Sequence, residues 1–312
     1  MEWNENPPGR PVSVSGLDQT FLQNVIYIID AARRYGIRIY WCLLDGNDFL
    51  GDARTSRDAL RRIFSLYRCR RSYIKNALLP FVQFLLDNDQ GTTFAIDLVN
   101  EPDALWRSRF QRGWGRNSRI VINWLEEMAS EIKGYLGRRG QDLTRILVST
   151  GFCKHESITN YHDSLDHFDF FDFHAYNVLD VSDISGNLPS YSSLGINKPC
   201  IIGECGLGGQ VERILAILGY SRFSGLLLRS IFSLQSQCIQ NYFNNAWNGG
   251  HGGYAGCMVW EYGIKTHRTL VDTPRSLSSQ AHWEDRYPLF WTNYRGQLCE
   301  RSVVHVIQYF NP

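Results

Sequence analysis

The feature that most constrains the fold is a regular alternation of short apolar runs with longer amphipathic segments. Such alternation is typical of β/α units that build a parallel sheet. Most of the apolar runs are rich in β-branched or aromatic residues and are apolar on both faces, as strands buried on both sides should be. The predicted strands are Ile37–Leu44, Thr93–Val99, Arg145–Thr150, Phe168–His174, Cys200–Glu204 and Gly256–Glu261.

Amphipathic helices are predicted between these strands and at the end of the chain. No repeat, linker or low-complexity tract divides the sequence, so we expect one domain over residues 1–312. The pattern predicts the α/β class, and within it a (β/α)8 barrel of the TIM type. The predicted helices are Leu17–Tyr35, Tyr73–Asp87, Arg119–Arg139, Arg229–Trp247 and Ser302–Phe310.

The number of predicted strands is two short of a closed barrel, which needs eight. Only a polar stretch with Pro and Gly precedes the helix Leu17–Tyr35. Two explanations stay open: the chain lacks the first two strands, or irregular N-terminal segments stand in for them. We favour the first.

Composition removes several classes of partner. The formal net charge is +1, which gives no reason to expect nucleic acid or an anionic membrane. No apolar run approaches the ~20 residues of a transmembrane helix.

The opening residues, MEWNENPPGR, lack the basic and apolar regions of a signal peptide, and the compartment and the oligomeric state are left open. The eight cysteines include no CxxC pair, which argues against a zinc site. We expect neither a metal nor a cofactor.

Polar and aromatic residues follow nearly every predicted strand. In (β/α)-barrels the active site is built at the carboxyl ends of the strands, so these side chains should meet at one rim. Hydrolysis of a glycoside needs two carboxyl groups, donors for the sugar hydroxyls and an aromatic platform. All these types are present at the predicted rim, at Asp45, Asn47, Asn100, Glu101, His174, Tyr176, Glu204 and Trp260.

Four of these strand ends resemble motifs of clan A glycoside hydrolases. AIDLVNEPD resembles the Asn-Glu-Pro motif on their strand four, and KPCIIGECG resembles their strand-seven nucleophile motif. FDFHAYN is similar to their strand-six motif, and GCMVWEY to their strand-eight tryptophan. The closest pattern is the cellulase-type family five with its relatives, including β-mannanases. The resemblance runs in order from about Leu17 to about Tyr262.

The resemblance implies a catalytic pair. Glu101 would be the general acid and then the general base, and Glu204 the nucleophile that forms the glycosyl-enzyme. Retention of configuration requires their carboxyl groups to lie about 5–5.5 Å apart. The implied reaction is hydrolysis of a β-linked glucan or mannan, with a carbohydrate as the partner.

The same resemblance implies roles for the substrate-binding residues. Asn100 would hydrogen-bond the sugar 2-hydroxyl, and Tyr176 would hydrogen-bond Glu204. His174 would line the same subsite and Trp260 would stack under the sugar ring. Asp45 and Asn47 would contact substrate at the rim.

One departure from the family supports an alternative function. The family carries an arginine near its second strand that supports the nucleophile, and the matching region would precede Met1. The alternative is therefore an inactive or truncated barrel that binds carbohydrate without cleaving it. A metal-assisted hydrolase with His174, Asp45 and Glu204 as ligands is disfavoured, because the sequence has no HxxxH or HExxH pair.

Two other carboxylates compete with the predicted pair. Glu261 follows Trp260 and could reach the rim, which makes it the best substitute. Asp97 lies within a predicted strand, and we expect it to be a structural hydrogen-bonding partner.

Overall fold

The computed structural model describes residues 2–5, 11–46, 61–107, 118–177, 185–207, 237–247, 253–259, 264–265, 290–292 and 298–300. The chain divides into two compact units. The first comprises Met1–Asp172 with Asn197–Pro199, and the second comprises Phe173–Ile196 with Cys200–Pro312. The single domain expected from the sequence stays a prediction.

Strands and helices follow one another along the described chain. The strands are β1 (Glu2–Glu5), β2 (Pro11–Gly16), β3 (Ile39–Cys42), β4 (Thr93–Asp97), β5 (Leu147–Ser149), β6 (Gly151–Phe152), β7 (Phe171–Asn177), β8 (Cys200–Leu207), β9 (Gly256–Val259), β10 (Ile264–Lys265), β11 (Phe290–Thr292) and β12 (Leu298–Glu300). The α-helices are α1 (Gln19–Arg34), α2 (Tyr67–Tyr73), α3 (Leu79–Asn88), α4 (Ala104–Arg107), α5 (Ser118–Arg138), α6 (His155–Tyr161) and α7 (residues 237–247), and residues 61–65 are also helical.

The first unit contains a parallel sheet in the order β3-β4-β5. Ala95 and Ile96 of the central strand are fully buried, although they point to opposite faces, so the middle of β4 is covered on both sides, whereas Phe94 near its start is 39% exposed. The burial of Ala95 and Ile96 is the one predicted from the apolar pattern. The three strands lie inside the predicted segments. β3 and β5 are shorter than predicted at both ends, and β4 is shorter only at its carboxyl end. Ile37, for example, is 56% exposed and precedes the sheet.

The boundaries of β7 differ most from prediction. The sequence predicted Phe168–His174, whereas the strand spans Phe171–Asn177. The chain turns before it, because the Phe168 amide donates to the Leu165 carbonyl and the Asp169 amide to the Val148 carbonyl. These bonds link positions up to twenty-one residues apart in sequence, and local apolarity does not reveal them.

The N-terminal hairpin was not predicted. β1 and β2 pair antiparallel in a stretch interpreted from its sequence as polar and irregular. Val14 is fully buried, its amide donates to Ser72 Oγ, and its carbonyl accepts from Asn76 Nδ2. The strand thus satisfies its backbone groups on a helix that lies 58 to 62 residues later in the chain.

Helices cover the sheet of the first unit. α5 begins and ends within one residue of its prediction, and its Trp124 stacks on Phe64 with ring centroids 4.3 Å apart. The helix predicted at Tyr73–Asp87 starts earlier, as α2, and passes through a π-helical turn at Ile74–Leu78 before α3. None of the helices in the described part of the chain is both long and apolar enough to cross a membrane.

The second unit contains β8, β9 and most of β7. β8 pairs with β9, and β7 neighbours β8 on the other side. α7 packs through buried Cys238, Ile239 and Tyr242. Of the predicted helix Arg229–Trp247, only the part from residue 237 is described, and the predicted helix Ser302–Phe310 lies outside the described residues.

The junction between α3 and β4 depends on one buried carboxylate. Asp89 accepts hydrogen bonds from the amides of Gly91, Thr92 and Thr93, the first two at 3.1 and 2.7 Å. Burial by itself raises the pKa of Asp89, but the hydrogen bonds from Thr93 and Thr92 outweigh it, and the pKa lies below its ordinary value of 3.8. The charged form of Asp89 therefore stabilises the start of the central strand.

We expect Asp89→Asn to lower the free energy of unfolding by about 2 kcal/mol near pH 7, since charge-assisted hydrogen bonds are lost. The folded pKa lies below the unfolded pKa, so this stabilisation is fully present above the unfolded pKa and is lost as pH falls through the folded one. Urea unfolding at a series of pH values should therefore show that the difference in free energy of unfolding between wild type and Asp89→Asn shrinks below about pH 4.

Asp87→Asn is the matched control. Asp87 is exposed and accepts from Gln83 Nε2 one turn earlier, so the change should cost less than about 0.5 kcal/mol at any pH. A deficit of Asp89→Asn that stays constant with pH would contradict the assignment.

Candidate active site

Pairing between β3 and β4 continues past the ends of both strands. Asp45 and Asn100 form a parallel bridge, the Asn100 amide donates to the Leu44 carbonyl at 2.8 Å, and the Gly46 amide donates to the Asn100 carbonyl at 2.7 Å. The Asn100 side-chain amide donates to Asp45 Oδ1 at 3.2 Å. Two of the polar residues predicted at the rim are therefore adjacent and are positioned by the main chain.

Glu101 directly follows this bridge in a strained conformation. Its φ is +49°, in the left-handed region, and it is the only non-glycine residue with positive φ among the described residues. The left-handed conformation costs a residue with a Cβ about 1–2 kcal/mol. The Glu101 amide donates to the Gly151 carbonyl at 2.7 Å, and its carbonyl accepts from the Ala104 amide at 3.0 Å. The surrounding backbone thus fixes the conformation that local sterics disfavour.

Gly46 makes that backbone arrangement sterically possible, a role that was not predicted from the sequence. A Cβ at Gly46 would lie 2.6 Å from the Asn100 carbonyl oxygen and would also overlap the carbonyl group of Glu101. Only glycine lets the chain after β3 approach Glu101 so closely. The available signal was a glycine between two polar residues at a strand end, Asp45 and Asn47.

Two buried aspartates support the segment around Glu101. Asp97 Oδ1 accepts from the amides of Val99 and Gly151 at 3.1 and 3.2 Å, so the structural role expected for it is confirmed. Asp103 is fully buried and accepts from the Cys153 amide and the Ser157 hydroxyl, each at 2.7 Å. Asp103 was not predicted from the sequence, because its donors lie 50 and 54 residues further along the chain.

In the second unit, two predicted site residues flank one carboxylate oxygen of a third, Glu204. The Tyr176 hydroxyl donates to Glu204 Oε2 at 2.7 Å, which is the contact that the resemblance implied. His174 Nδ1 lies 3.3 Å from the same oxygen. His174 and Tyr176 are two residues apart on β7 and so project from one face of the sheet. Donors aimed at a carboxylate stabilise its ionised form.

Glu204 lies in a β-bulge rather than at a simple strand end. Ile202 pairs with Cys257 and Cys205 pairs with Val259, so β8 advances three residues while β9 advances two. The extra residue of β8 falls at Gly203 and Glu204, within a strand that continues to Leu207. Bulges change the direction of side chains and occur frequently next to active sites.

Two predicted site residues and one rival lie outside the described residues: Asn47, Trp260 and Glu261. Glu101 belongs to the first unit and Glu204 to the second, and the separation of their carboxyl groups stays a prediction.

Solved structures with a similar fold come from glycoside hydrolases. A β-mannanase from the blue mussel Mytilus edulis matches with a TM-score of 0.50 and 18% identity, over 83% of this chain and 71% of that chain. A family 5 enzyme from Prevotella bryantii B14 matches at 0.54 and 12% identity, over 100% of this chain and 81% of that one. A family 5 lichenase from Caldicellulosiruptor sp. F32, solved with cellotetraose, matches at 0.53 and 12% identity, over 95% and 76%.

No family model matches the sequence, and no curated protein sequence matches it. The similar structures are TIM barrels, and the parallel sheets with covering helices agree with them. The predicted α/β class and the (β/α)8-barrel type are therefore confirmed, as is the resemblance to the fold of clan A glycoside hydrolases.

We expect Gly46→Ala to destabilise the protein by about 1–3 kcal/mol, because the new methyl group must displace the Asn100 and Glu101 carbonyl groups. Chemical unfolding measures the effect. Gly137→Ala is the control: it lies in α5, its Cβ would meet Leu143 at an ordinary 3.7 Å, and it should stabilise by about 0.5–1 kcal/mol. Equal stability of Gly46→Ala and wild type would refute the close approach.

Proposed function

We propose that this protein is a retaining glycoside hydrolase that cleaves a β-linked glucan or mannan by double displacement. Glu204 is the nucleophile and Glu101 is the acid/base. The observation that carries the proposal is the Glu204 carboxylate, held by the Tyr176 hydroxyl at 2.7 Å and by His174 Nδ1 at 3.3 Å on a bulged strand.

The role of Glu204 is supported by its surroundings. A nucleophilic carboxylate must be ionised and must keep one orientation while the sugar approaches. The Tyr176 hydroxyl serves both needs, since it stabilises the negative charge and fixes one carboxylate oxygen. Glu204 is half-buried, so water screens its charge only in part.

The role of Glu101 is supported by the precision with which its backbone is held. In the first step its carboxyl group protonates the leaving oxygen while Glu204 attacks the anomeric carbon. In the second step the Glu101 carboxylate takes a proton from water, which then displaces Glu204. Both steps need the proton donor at a fixed place, which the left-handed backbone between Gly46 and Gly151 supplies.

The remaining predicted residues would bind the sugar. Asn100, oriented by Asp45, would hydrogen-bond the 2-hydroxyl next to the scissile bond. His174 would line the same subsite and Trp260 would stack under the ring, while Asn47 would contact substrate beside Asp45. A mannanase and a lichenase are among the similar structures, which supports a β-linked hexose polymer as the substrate class. We propose that residues 1–312 act as one catalytic barrel domain.

Replacing each glutamate with alanine should separate their roles. With a dinitrophenyl β-cellobioside or β-mannobioside, Glu204→Ala should lose turnover, and azide should restore it by entering the vacated space. The product of this rescue should be the α-glycosyl azide, because azide attacks the face that Glu204 occupied. Product configuration is read by nuclear magnetic resonance.

Two controls sharpen this experiment. Glu204→Gln removes the charge without making space, so azide should not rescue it. Glu101→Ala should lose about 10²–10⁴-fold in turnover of natural glycans and much less with the activated aryl glycoside, which needs little protonation. Azide should then give the β-glycosyl azide, because it intercepts the glycosyl-enzyme. Calorimetric binding of β-glycans with no turnover by wild type would instead favour a carbohydrate-binding pseudo-enzyme.

Tyr176→Phe should test how Glu204 is kept ionised. Losing the donated hydrogen bond should lower kcat/KM by about 10-fold and should shift the acidic limb of its pH profile to higher pH, because the ionised form of Glu204 is less stabilised. Tyr254→Phe removes a hydroxyl of the same unit that donates to the Pro189 carbonyl, and its pH profile should match wild type. An unshifted profile for Tyr176→Phe would contradict the role.

A further inference from the structure

Two cysteines lie next to the bulge that carries Glu204. Cys205 of β8 and Cys257 of β9 have their Sγ atoms 3.5 Å apart, and they are separated by 52 residues in sequence. Cys205 directly follows Glu204 and is fully buried, whereas Cys257 is half-buried. Neither thiol takes part in the proposed double displacement.

We propose that Cys205 and Cys257 are a reversible oxidation site, at which a disulfide forms between the two strands and fixes the bulge at Glu204. A disulfide needs sulfur atoms about 2 Å apart, so the pair must close by roughly 1.5 Å. The bulge is the place where β8 can absorb such a movement, because its backbone pairing with β9 is interrupted between Ile202 and Cys205.

The different burial of the two thiols sets the order of the reaction. Burial, then the Cys257 sulfur beside it, raises the pKa of the Cys205 thiol, so Cys205 is a poor first nucleophile. Cys257 reaches solvent in part and reacts first. Its thiolate attacks hydrogen peroxide, which forms the sulfenic acid and releases hydroxide, and the hydroxide takes up the proton that the thiol lost.

The second step closes the bond. The Cys205 sulfur displaces the hydroxyl group from the Cys257 sulfenic acid and its proton leaves with that group as water. Two thiols are thus oxidised by two electrons, and one hydrogen peroxide is reduced to two waters. A thiol such as dithiothreitol reverses the reaction by exchange.

The test exposes the folded chain of residues 1–312 to a small excess of hydrogen peroxide. Intact mass should fall by two hydrogen atoms, and peptide mapping without reduction should recover a cross-link between the Cys205 and Cys257 peptides. The midpoint of thermal unfolding should rise by roughly 5 °C, because the cross-link restrains the unfolded chain. Dithiothreitol should reverse both changes. None of these measurements depends on hydrolysis, so failure here is distinct from failure of the proposed function.

Variants complete the test. Cys257→Ser, at the more exposed position, should abolish the cross-link and the thermal shift. Cys69→Ser removes a buried thiol of the first unit and should keep both. The rival partner is Cys238, a fully buried cysteine that also contributes to the raised pKa of the Cys205 thiol. A Cys205–Cys238 cross-link, the absence of any cross-link, or an unchanged unfolding midpoint would each overturn the proposal.

Discussion

Parallel pairing of buried strands is the constraint on which the rest of this structure depends. β4 is buried from Ala95 to Asp97, so the polar side chain of Asp97 must find partners, as it does in two backbone amides. Asp45 follows β3, and Asn100 and Glu101 follow β4. Parallel backbone pairing continues beyond the strand ends at Asp45 and Asn100, so the backbone of the candidate rim is held by the same kind of hydrogen bonds as the sheet.

The backbone at Glu101 explains why a charged residue here points to function. A glycine or an asparagine would adopt the left-handed conformation at lower cost, and nothing in the main-chain contacts of Glu101 requires a carboxylate. Gly46 and Asp103 stabilise the backbone around Glu101. Gly46 has no side chain to clash with it, and Asp103 accepts buried hydrogen bonds from Cys153 and Ser157. A strained residue supported in this way supports a functional hypothesis.

The second carboxylate is organised differently. Glu204 belongs to a bulge whose neighbours come from two other strands: Tyr176 on β7 and Cys257 on β9, which faces Cys205. The hydrogen bond acts on the charge of Glu204, whereas the proposed disulfide would restrain the backbone that carries it. The same short segment of β8 therefore carries both the hydrogen-bonded carboxylate of Glu204 and the thiol of Cys205.

The sequence by itself determined the fold class, the order of the main strands and the identity of the polar residues after them. Alternating apolar and amphipathic segments are local signals, and the motif around Glu101 is contiguous. Only the tertiary structure decided the hairpin at Val14, the limits of β7, the strain at Glu101 and the bulge at Glu204. Each of these depends on hydrogen bonds or close contacts between residues tens of positions apart, and a pattern read along one segment contains no information about them.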